Sequence, residues 1–443
     1  MTGPLSGSVP LPADKSITHR ALLLAAIADG ESRIGASLLG ADNLSTAGAL
    51  RAMGVHIDEQ SGAVTVRGNG LFGLRAPAGP IDCGNSGTTM RLLCGILAAQ
   101  RFFVTLTGDA SLSSRPMERV LKPLRLRGAR AEGKIDPKRP GECTAPLHIG
   151  PLPEPHVLST IEYEMPVSSA QVKSALLLSG LFSDGPTYVR EPLLSRDHTE
   201  RMLTALGVPL QTLGPMIELD PSVWSGSLPA FDVHIPGDLS AAAFLVAAAQ
   251  IVPQSRVDVR NVGLNPTRSG FLDVLRDMGG AFEVEARGEQ LGEPMGLVRA
   301  SSSALVGARI GGESVARSID EMPILAALAA CASGITTVTD AAELRVKETD
   351  RLSAVVQVLR AFGVRCDETP DGLVIEGRAG EPLIAADVHS RGDHRIAMTA
   401  AILGLVADGK TRVQDANCIR TSFPKFVGTL RALGATISVE ETA

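Results

Sequence analysis

Residues 50–55 read LRAMGV, and variants of this phrase return five times along the chain. The other copies are LRLRGA (124–129), LTALGV (203–208), LRDMGG (275–280), LRAFGV (359–364) and LRALGA (430–435). In each copy a helix with apolar periodicity meets a glycine, the usual left-handed residue at a helix C-terminus. The glycines stand at 54, 128, 207, 279, 363 and 434, roughly 75 residues apart. The spacing predicts one structural unit repeated six times.

A second and more apolar helix is predicted before each of these phrases. Its copies are THRALLLAAIADG (18–30), GTTMRLLCGILAAQ (87–100), SAQVKSALLLSGLF (169–182), SAAAFLVAAAQI (240–251), MPILAALAACASG (322–334) and HRIAMTAAILGLVADG (394–409). Helices that are apolar nearly all round are typical of burial inside a domain. The unit is therefore predicted as buried helix, strand, amphipathic helix and further strands. The expected fold class is α/β, with six units in two groups of three.

A longer repeat predicts where the two groups divide. VPLPADKSITHRALLLAA from Val9 matches VHIPGDLSAAAFLVAAA from Val233, and the match aligns Asp14 with Asp238. Each stretch is a short strand, a proline-containing turn and a helix start, which suits a crossing between lobes. We expect one lobe at 14–234 and a second lobe made of 1–13 with 235–443.

Composition limits the classes of function. The chain has 443 residues, a net charge of -6 and a pI near 5.8, so a broad basic surface for nucleic acid is not expected. The N-terminus lacks the pattern of a secretory signal, and the longest apolar runs are too short to span a bilayer. The scattered cysteines favour reduced, buried thiols in a cytosolic protein. They are Cys83, Cys94, Cys143, Cys331, Cys366 and Cys418.

Cations that a buried helix does not need stand in or beside the first turns of the apolar helices. Positive side chains there oppose the helix macrodipole, and a bound anion would relieve that conflict. A glycine-rich start such as GNSGTT (84–89) also suits a phosphate or carboxylate. We therefore predict that the chain binds an anionic small molecule at several helix starts. The cations in question are Lys15, Arg20, Arg91, Lys173 and Arg395.

Other polar segments have simpler interpretations. GDLS (237–240) is explained by helix capping alone. Arg127, Arg130 and Lys138 are expected on the solvated surface. RVKETDR (345–351) taken alone fits either a solvated helix or a binding site.

Several of these phrases together resemble the 5-enolpyruvylshikimate-3-phosphate (EPSP) synthase family, over essentially the whole chain. The wording SAQVKSALLL, SRDHTE and TSFP is more similar to its bacterial class II branch. The matching stretches are PADKSITHRALLLAA (12–26), GNSGTTMRLL (84–93), GDASLSSRPM (108–117), SSAQVKSALLLSGL (168–181), SRDHTERML (195–203), NPTRSGF (265–271), IDEMPILA (319–326), ELRVKETDRL (343–352), DHRIAM (393–398) and TSFPKF (421–426).

The resemblance implies a fold and a reaction. The fold would be a two-lobed inside-out α/β barrel with three βαβαββ repeats in each lobe and the active site in the cleft between them. The reaction would transfer the enolpyruvyl group of phosphoenolpyruvate to the 5-hydroxyl of shikimate 3-phosphate and release phosphate. This is a step toward chorismate and the aromatic amino acids, and it requires no metal and no organic cofactor. A monomeric cytoplasmic enzyme without nucleic-acid or membrane partners is expected.

The resemblance also assigns roles to residues of the matching phrases. Asp320 would accept the proton of the attacking hydroxyl, Glu348 would donate a proton to phosphoenolpyruvate, and Lys15 would assist catalysis. The expected shikimate 3-phosphate ligands are Lys15, Ser16, Arg20, Ser169, Gln171, Arg196, Asp320 and Lys347. The expected phosphoenolpyruvate ligands are Lys15, Gly87, Arg115, Gln171, Arg351 and Arg395. Of RVKETDR, Arg345 and Asp350 are left as structural residues.

Three positions depart from known patterns of the family. Thr421 replaces the lysine that class I enzymes carry in this motif, with Arg420 beside it, and neither residue receives a role. Leu92 stands where class I enzymes have proline, as in class II. Gly87 differs from class II members that have alanine there and tolerate the herbicide glyphosate, an inhibitor longer than phosphoenolpyruvate.

Rival interpretations make different demands on the sequence. UDP-N-acetylglucosamine enolpyruvyl transferases share the fold but usually carry a cysteine five residues before the Arg-Pro pair, where this chain has Ala110. A non-catalytic repeat scaffold would scatter its charges rather than place them at helix starts. An RNA 3′-phosphate cyclase, which is a fold relative, is disfavoured by the acidic pI.

Overall fold

A computed structural model of the chain describes residues 2–35, 39–60 and 62–440. The described chain divides into two compact units. The inserted unit consists of Ala13–Ile235 with Gln290–Glu293, and the flanking unit consists of the chain up to Pro12, Pro236–Glu289 and the chain from Pro294 onward. The ends of the lobes predicted from the sequence, residue 1 and residues 441–443, lie outside the described residues.

The α-helices fall in pairs along much of the chain. In chain order they are α1 (Lys15–Ala26), α2 (Ala41–Ala52), α3 (Gly87–Leu97), α4 (Glu118–Leu126), α5 (Ala170–Gly180), α6 (His198–Ala205), α7 (Leu239–Ile251), α8 (Gly270–Asp277), α9 (Glu313–Ser318), α10 (Met322–Cys331), α11 (Arg351–Ala361), α12 (His394–Gly404) and α13 (Phe426–Ala432). Short 3-10 turns lie at Leu112–Ser114, Pro221–Val223, Ala342–Val346 and Ala416–Thr421. Among the described residues no helix is both long and apolar enough to cross a membrane.

Most of the strands are short, as expected of chain segments that alternate with helices. In chain order they are β1 (Ser6–Pro10), β2 (Asp29–Gly35), β3 (His56–Gln60), β4 (Ala63–Asn69), β5 (Ile81–Asp82), β6 (Val104–Thr107), β7 (Ala131–Ile135), β8 (Cys143–Ile149), β9 (Ile161–Glu164), β10 (Thr187–Arg190), β11 (Leu210–Leu213), β12 (Met216–Leu219), β13 (Asp232–His234), β14 (Arg256–Gly263), β15 (Ala281–Gln290), β16 (Glu293–Ser301), β17 (Arg309–Ile310), β18 (Ile335–Val338), β19 (Arg365–Thr369), β20 (Gly372–Glu376), β21 (Leu383–Ile384), β22 (Asp387–His389), β23 (Ala407–Asp408) and β24 (Arg412–Gln414).

Among the described residues, five four-stranded sheets share one arrangement. An edge strand pairs in parallel with a second strand, which pairs antiparallel with a third. In the inserted unit the orders are β13-β2-β4-β3, β5-β6-β8-β7 and β9-β10-β12-β11. In the flanking unit they are β1-β14-β16-β15 and β17-β18-β20-β19, with two parallel pairs, β21-β23 and β22-β24. The expected mixed α/β class is confirmed.

The apolar helices form the interior of each unit. Helices α1, α3 and α5 supply the core of the inserted unit, and α7, α10 and α12 supply that of the flanking unit. All residues of α7 from Leu239 to Gln250 are buried. The prediction that these six helices are buried, made because their residues are apolar nearly all round, is therefore confirmed.

The glycines of the repeated phrase end helices α2, α4, α6, α8, α11 and α13. All six have positive φ, between 77° at Gly279 and 101° at Gly434. A residue with a side chain is strained in this region, so glycine is the natural choice. The predicted left-handed helix ends are confirmed.

The surface prediction for Arg127 is wrong. Arg130 and Lys138 are exposed as expected, but the Arg127 side chain is fully buried. Its guanidinium donates to carbonyl and hydroxyl oxygens, including Leu176 O at 3.3 Å and Ser179 Oγ at 2.7 Å in the last turns of α5. The negative end of the α5 dipole favours a cation there, while burial lowers the pKa of Arg127 to about 10. The sequence around Arg127 does not predict this burial, because these partners lie about 50 residues further along the chain.

The cysteines are free thiols among the described residues. Cys83, Cys94, Cys143 and Cys366 are buried, and Cys331 and Cys418 are half-buried. This agrees with the expectation of reduced thiols, most of them buried.

Candidate active site

The first turn of α1 presents the first group of predicted ligands. The carboxylate of Asp14 caps the helix by accepting a hydrogen bond from the amide of Ile17 at 3.0 Å. Lys15 Nζ lies 3.0 Å from Asp42 Oδ2, and both side chains remain partly accessible. Ser16 is also partly exposed. Lys15 thus has a carboxylate partner, yet it stays within reach of a ligand.

Arg20 is buried one turn further along α1. Its Nη1 donates to the main-chain oxygen of Ser16 at 2.9 Å, its Nε to Thr199 Oγ1 at 2.7 Å and its Nη2 to Ser174 Oγ at 2.7 Å. Burial lowers the pKa of Arg20 to about 10, against the attraction of Glu200, so the guanidinium is charged at neutral pH. Arg20 therefore places positive charge behind the first turn of α1 and ties it to α5 and α6.

The start of α3 gathers three more predicted ligands. A Cβ built on Gly87 would lie 3.0 Å from Arg91 Nη1 and 3.2 Å from Arg115 Nη1. Arg91 Nη1 donates to Gln171 Oε1 at 2.6 Å, and Gln171 Nε2 donates to Thr88 Oγ1 at 2.9 Å. The structure therefore brings Gly87, Arg115 and Gln171 together, with Arg91 between them.

The residues at the start of α5 and just before α6 agree only in part with the sequence-based expectation. Ser169 caps α5, and Arg196 is partly exposed, so a ligand can reach it. Lys173, however, is buried with Nζ 2.7 Å from both Glu191 Oε1 and Glu200 Oε1. Burial would lower its pKa, but the two carboxylates raise it overall. The anion that Lys173 was predicted to need is thus supplied by the protein itself.

In the flanking unit, Arg351 lies at the centre of the second group. Its side chain is 1% exposed, with Nε 2.8 Å from Asp393 Oδ2, Nη1 3.3 Å from Asp320 Oδ1 and Nη2 2.5 Å from Glu348 Oε2. Burial opposes the charge, yet the three carboxylates together raise the pKa of Arg351 well above its usual value. This guanidinium is a permanent cation.

Arg395 and Lys347 complete the group. Arg395 lies in the first turn of α12, where its Nη1 donates to the main-chain oxygen of Asp320 at 2.9 Å and its Nη2 lies 3.5 Å from Asp320 Oδ2. Lys347 Nζ lies 3.6 Å from Glu343 Oε1. Burial lowers the pKa of Lys347, although Asp320 and Glu343 oppose that shift. Asp320 therefore lies between two arginines.

The residues of RVKETDR (345–351) form two groups, one with a structural role and one in the candidate site. Arg345 donates to Pro370 O at 2.8 Å and pairs with Asp350 and Glu368, so it fixes the turn after β19. Asp350 caps α11 by accepting from the amide of Ser353. Glu348 and Arg351 instead join the group around Asp320.

Sequence reasoning missed three partners of these residues. Asp42 pairs with Lys15, Arg91 holds Gln171, and Asp393 holds Arg351 while capping α12. Asp393 stands in the same short phrase as Arg395, and that proximity is the signal that could have found it. Asp42 and Arg91 gave no comparable signal of which residue they contact.

Comparisons with known proteins agree along the length of the chain. The family model described as EPSP synthase (3-phosphoshikimate 1-carboxyvinyltransferase) matches residues 1–430. The 3-phosphoshikimate 1-carboxyvinyltransferase of Pelobacter propionicus is 48% identical over 426 residues, with 96% of each chain covered. That of a Geobacter species is 49% identical over 424 residues, with the same coverage.

Solved structures give the same picture. The EPSP synthase of Acinetobacter baumannii aligns with a TM-score of 0.87 and 41% identity, covering 100% of this chain and 98% of the other. The enolpyruvyl transferase NikO of Streptomyces tendae aligns with a TM-score of 0.75 at 19% identity, covering 98% of this chain and 96% of the other. At that identity the second likeness concerns the fold alone.

Proposed function

Because the chain belongs to the EPSP synthase family, it is a 3-phosphoshikimate 1-carboxyvinyltransferase, and we propose how its side chains share the work. The reaction joins the enolpyruvyl group of phosphoenolpyruvate to the 5-hydroxyl of shikimate 3-phosphate and releases phosphate. It serves the shikimate pathway and aromatic amino-acid biosynthesis. The observation that carries our assignment is the cluster of Asp320 and Glu348 around the buried guanidinium of Arg351.

The finer architecture is part of the proposal. We assign the lobes to 14–234 and to 1–13 with 235–443, and each lobe to three βαβαββ repeats of an inside-out α/β barrel. Support comes from the five sheets of common strand arrangement and from the six left-handed glycines.

Phosphoenolpyruvate carries a carboxylate and a phosphate, and the proposed ligands suit both. In the inserted unit, Lys15, Gly87, Arg115 and Gln171 provide cations, an amide and close access to the main chain. In the flanking unit, Arg351 and Arg395 provide two further guanidiniums. These cations would also stabilise the negative charge that develops on the departing phosphate.

Shikimate 3-phosphate presents hydroxyls, a carboxylate and a phosphate to the remaining groups. The proposed ligands are Lys15, Ser16, Arg20, Ser169, Gln171, Arg196, Asp320 and Lys347. The hydroxyls of Ser16 and Ser169 lie at the first turns of α1 and α5, where the helix dipoles attract an anion. The lowered pKa of Lys347 suits a lysine that regains full charge stabilisation when an anionic substrate binds.

The two carboxylates divide the proton transfers. Asp320 lies beside Arg351 and Arg395, and we assign it the role of proton acceptor from the attacking hydroxyl. Glu348 is held by Arg351 at 2.5 Å. A substrate anion that engages Arg351 would release Glu348, which could then carry the proton for the methylene carbon of phosphoenolpyruvate.

A monomeric state and a cytoplasmic location remain predictions from the sequence. The alternative acceptor, UDP-N-acetylglucosamine, is not favoured, since the full-length relatives carry the 3-phosphoshikimate name and Ala110 replaces the expected cysteine.

The test is a comparison of acceptors. Phosphate release from phosphoenolpyruvate is followed with shikimate 3-phosphate and, separately, with UDP-N-acetylglucosamine. We expect release with the first acceptor alone. Turnover with UDP-N-acetylglucosamine and none with shikimate 3-phosphate would contradict the assignment.

A further inference from the structure

Two phrases in the flanking unit have received no role in the reaction, and a third has received one for a single residue. GDLS (237–240) was explained by capping, NPTRSGF (265–271) carried only the resemblance, and of DEMP (320–323) only Asp320 was used. The structure brings one charged side chain from each phrase together. We define the Arg268 cluster as Asp238, Ser240, Arg268 and Glu321, of which none is more than 5% exposed.

The contacts of this cluster exceed what a helix cap needs. Asp238 Oδ1 accepts from the amide of Ser240 at 2.8 Å, which is the cap. The same oxygen accepts from Arg268 Nη2 at 3.0 Å, and Arg268 Nη2 also donates to Ser240 Oγ at 2.5 Å. The Ser240 hydroxyl in turn donates to Glu321 Oε1. Ser240 therefore links a buried arginine to a buried glutamate.

Burying these charges needs a reason beyond stability. Replacing buried ionic groups by packed apolar residues is often neutral or stabilising, so such groups are weak evidence for a purely stabilising role. Here the contacts form a continuous path between two helix starts. It starts at the cap of α7, passes through Arg268 and Ser240 and ends at Glu321, the residue before α10.

Glu321 connects the cluster with the candidate site. It directly follows Asp320, and its Oε1 lies 4.0 Å from Arg395 Nη1. That same nitrogen donates to the main-chain oxygen of Asp320 at 2.9 Å. The Arg395 guanidinium is thus placed between the Asp320 main chain and the Glu321 carboxylate.

We propose that the Arg268 cluster is a positioning device for the transfer reaction. By fixing Glu321, it holds the start of α10, with Asp320, and the guanidinium of Arg395 in the orientation that phosphoenolpyruvate requires. None of its members needs to touch substrate. The inference rests on the roles proposed above for Asp320 and Arg395.

The test removes the linking hydroxyl and compares it with a matched one. Ser240→Ala removes the hydroxyl that contacts both Arg268 and Glu321, and it leaves only their direct ion pair, in which Arg268 Nη2 lies 3.7 Å from Glu321 Oε1. Ser255→Ala is the control, because Ser255 is also a buried serine of the flanking unit, and its hydroxyl accepts from the amide of Leu5 at 2.8 Å. We expect similar small losses of thermal midpoint in both variants. Only Ser240→Ala should lose kcat/KM for phosphoenolpyruvate, by about 10- to 100-fold, because small misplacements of catalytic groups are costly.

Two readouts separate positioning from folding. The Kd of shikimate 3-phosphate alone, measured by calorimetry, should change far less than kcat/KM for phosphoenolpyruvate, because most of its proposed ligands lie in the inserted unit. Glu321→Gln keeps the side-chain volume and an acceptor for Ser240 but removes the charge facing Arg395, and it should show the same kinetic loss.

Two results would overturn the proposal. One is equal activity of Ser240→Ala and Ser255→Ala, and the other is wild-type kcat/KM in Glu321→Gln. A wild-type protein that releases no phosphate with shikimate 3-phosphate would instead overturn the proposed function, and this inference with it. Activity of the wild type and of Ser255→Ala therefore tells the two failures apart.

Discussion

Gly87 is the residue at which the smallest change has the clearest expected effect. An added methyl group would lie 3.0 Å from Arg91 Nη1 and 3.2 Å from Arg115 Nη1. Both neighbours are the ends of long side chains, so Gly87→Ala should fold while displacing them. A ligand that fills this space should lose about 1–3 kcal/mol, or about 5- to 150-fold in affinity. Because glyphosate is the longer ligand, its inhibition constant should rise well above any rise in the KM for phosphoenolpyruvate.

Gly48→Ala provides the control for that measurement. Gly48 is an exposed helical glycine in α2 with open space around its built Cβ, so both constants should stay unchanged. Equal shifts of the inhibition constant and the KM in Gly87→Ala would show that Gly87 does not discriminate between the two ligands.

Asp320 and Glu348 provide a second prediction at this scale. Asp320→Asn and Glu348→Gln keep the shape of the side chains but remove their ability to exchange protons, so kcat should fall by about 100-fold or more. Substrate binding, followed by calorimetry, should be largely kept. Asp350→Asn is the matched control, because Asp350 has only a structural role in our assignment, as the cap of α11, and asparagine also caps a helix well.

A kcat within a few-fold of wild type for Asp320→Asn would remove Asp320 from its role, and the same outcome for Glu348→Gln would remove Glu348.

Single residues also show where sequence reasoning ends. The phrase around Glu348 and Arg351 could be recognised, because its residue types match a known motif. The burial of Arg127 could not be predicted, because it depends on the end of α5, about 50 residues further along the chain. The sequence likewise predicted an external anion for Lys173. Its carboxylate partners could not be foreseen, because they come from later segments of the chain.

Among the elements, α12 and α11 are joined by one carboxylate. Asp393 caps α12 and contacts Arg351 in the first turn of α11. Burial alone would raise the pKa of Asp393, but Arg351 more than offsets this and lowers it below the ordinary value of 3.8. A lowered carboxyl pKa contributes stability that is present above the ordinary value and lost as the pH falls through the folded-state value.

Asp393→Asn should therefore destabilise the protein in a pH-dependent way. Asparagine keeps the cap but loses the ion pair, and breaking a buried pair costs about 3 kcal/mol. Calorimetric unfolding should show the full difference from wild type at pH 7 and a shrinking difference below about pH 4. Asp387→Asn, at an exposed position of β22, should match wild type throughout. A difference that grows toward low pH would contradict the assignment of the charge to Asp393.

The elements differ in how well the sequence predicts them. The apolar helices and the glycine helix ends follow from local patterns, because burial and positive φ act on neighbouring residues. The sheets do not, because their partners are far apart: Val9 pairs with Val259, and Val233 with Ile34. Periodicity predicted the strands in each unit but contained no information on which strands pair.

At the scale of the whole molecule, the two units have separate hydrophobic cores and should lose protection separately. Val9 is a buried residue of β1 in the flanking unit. Val9→Asp would bury an unpaired charge, which costs several kcal/mol, on the order of a unit's whole stability. Hydrogen exchange should show lost protection in β14 and α7, while β6 and α3 of the inserted unit keep theirs.

Ser8→Asp is the control for this experiment, because Ser8 is the exposed neighbour of Val9 on β1. Equal loss of protection in both units for Val9→Asp would show that they unfold as one.

The pairing of β1 with β14 has a consequence for the nascent chain. β1 leaves the ribosome before its partner Arg256–Gly263, which is synthesised only after the chain of the inserted unit up to Ile235. At about 5–20 residues per second, β1 waits on the order of 10–50 s for that partner. An unpaired strand invites aggregation, and short length and proline reduce that risk. The sequence SGSVP, with Val9 as its one buried side chain, suits a strand that must remain soluble while it waits.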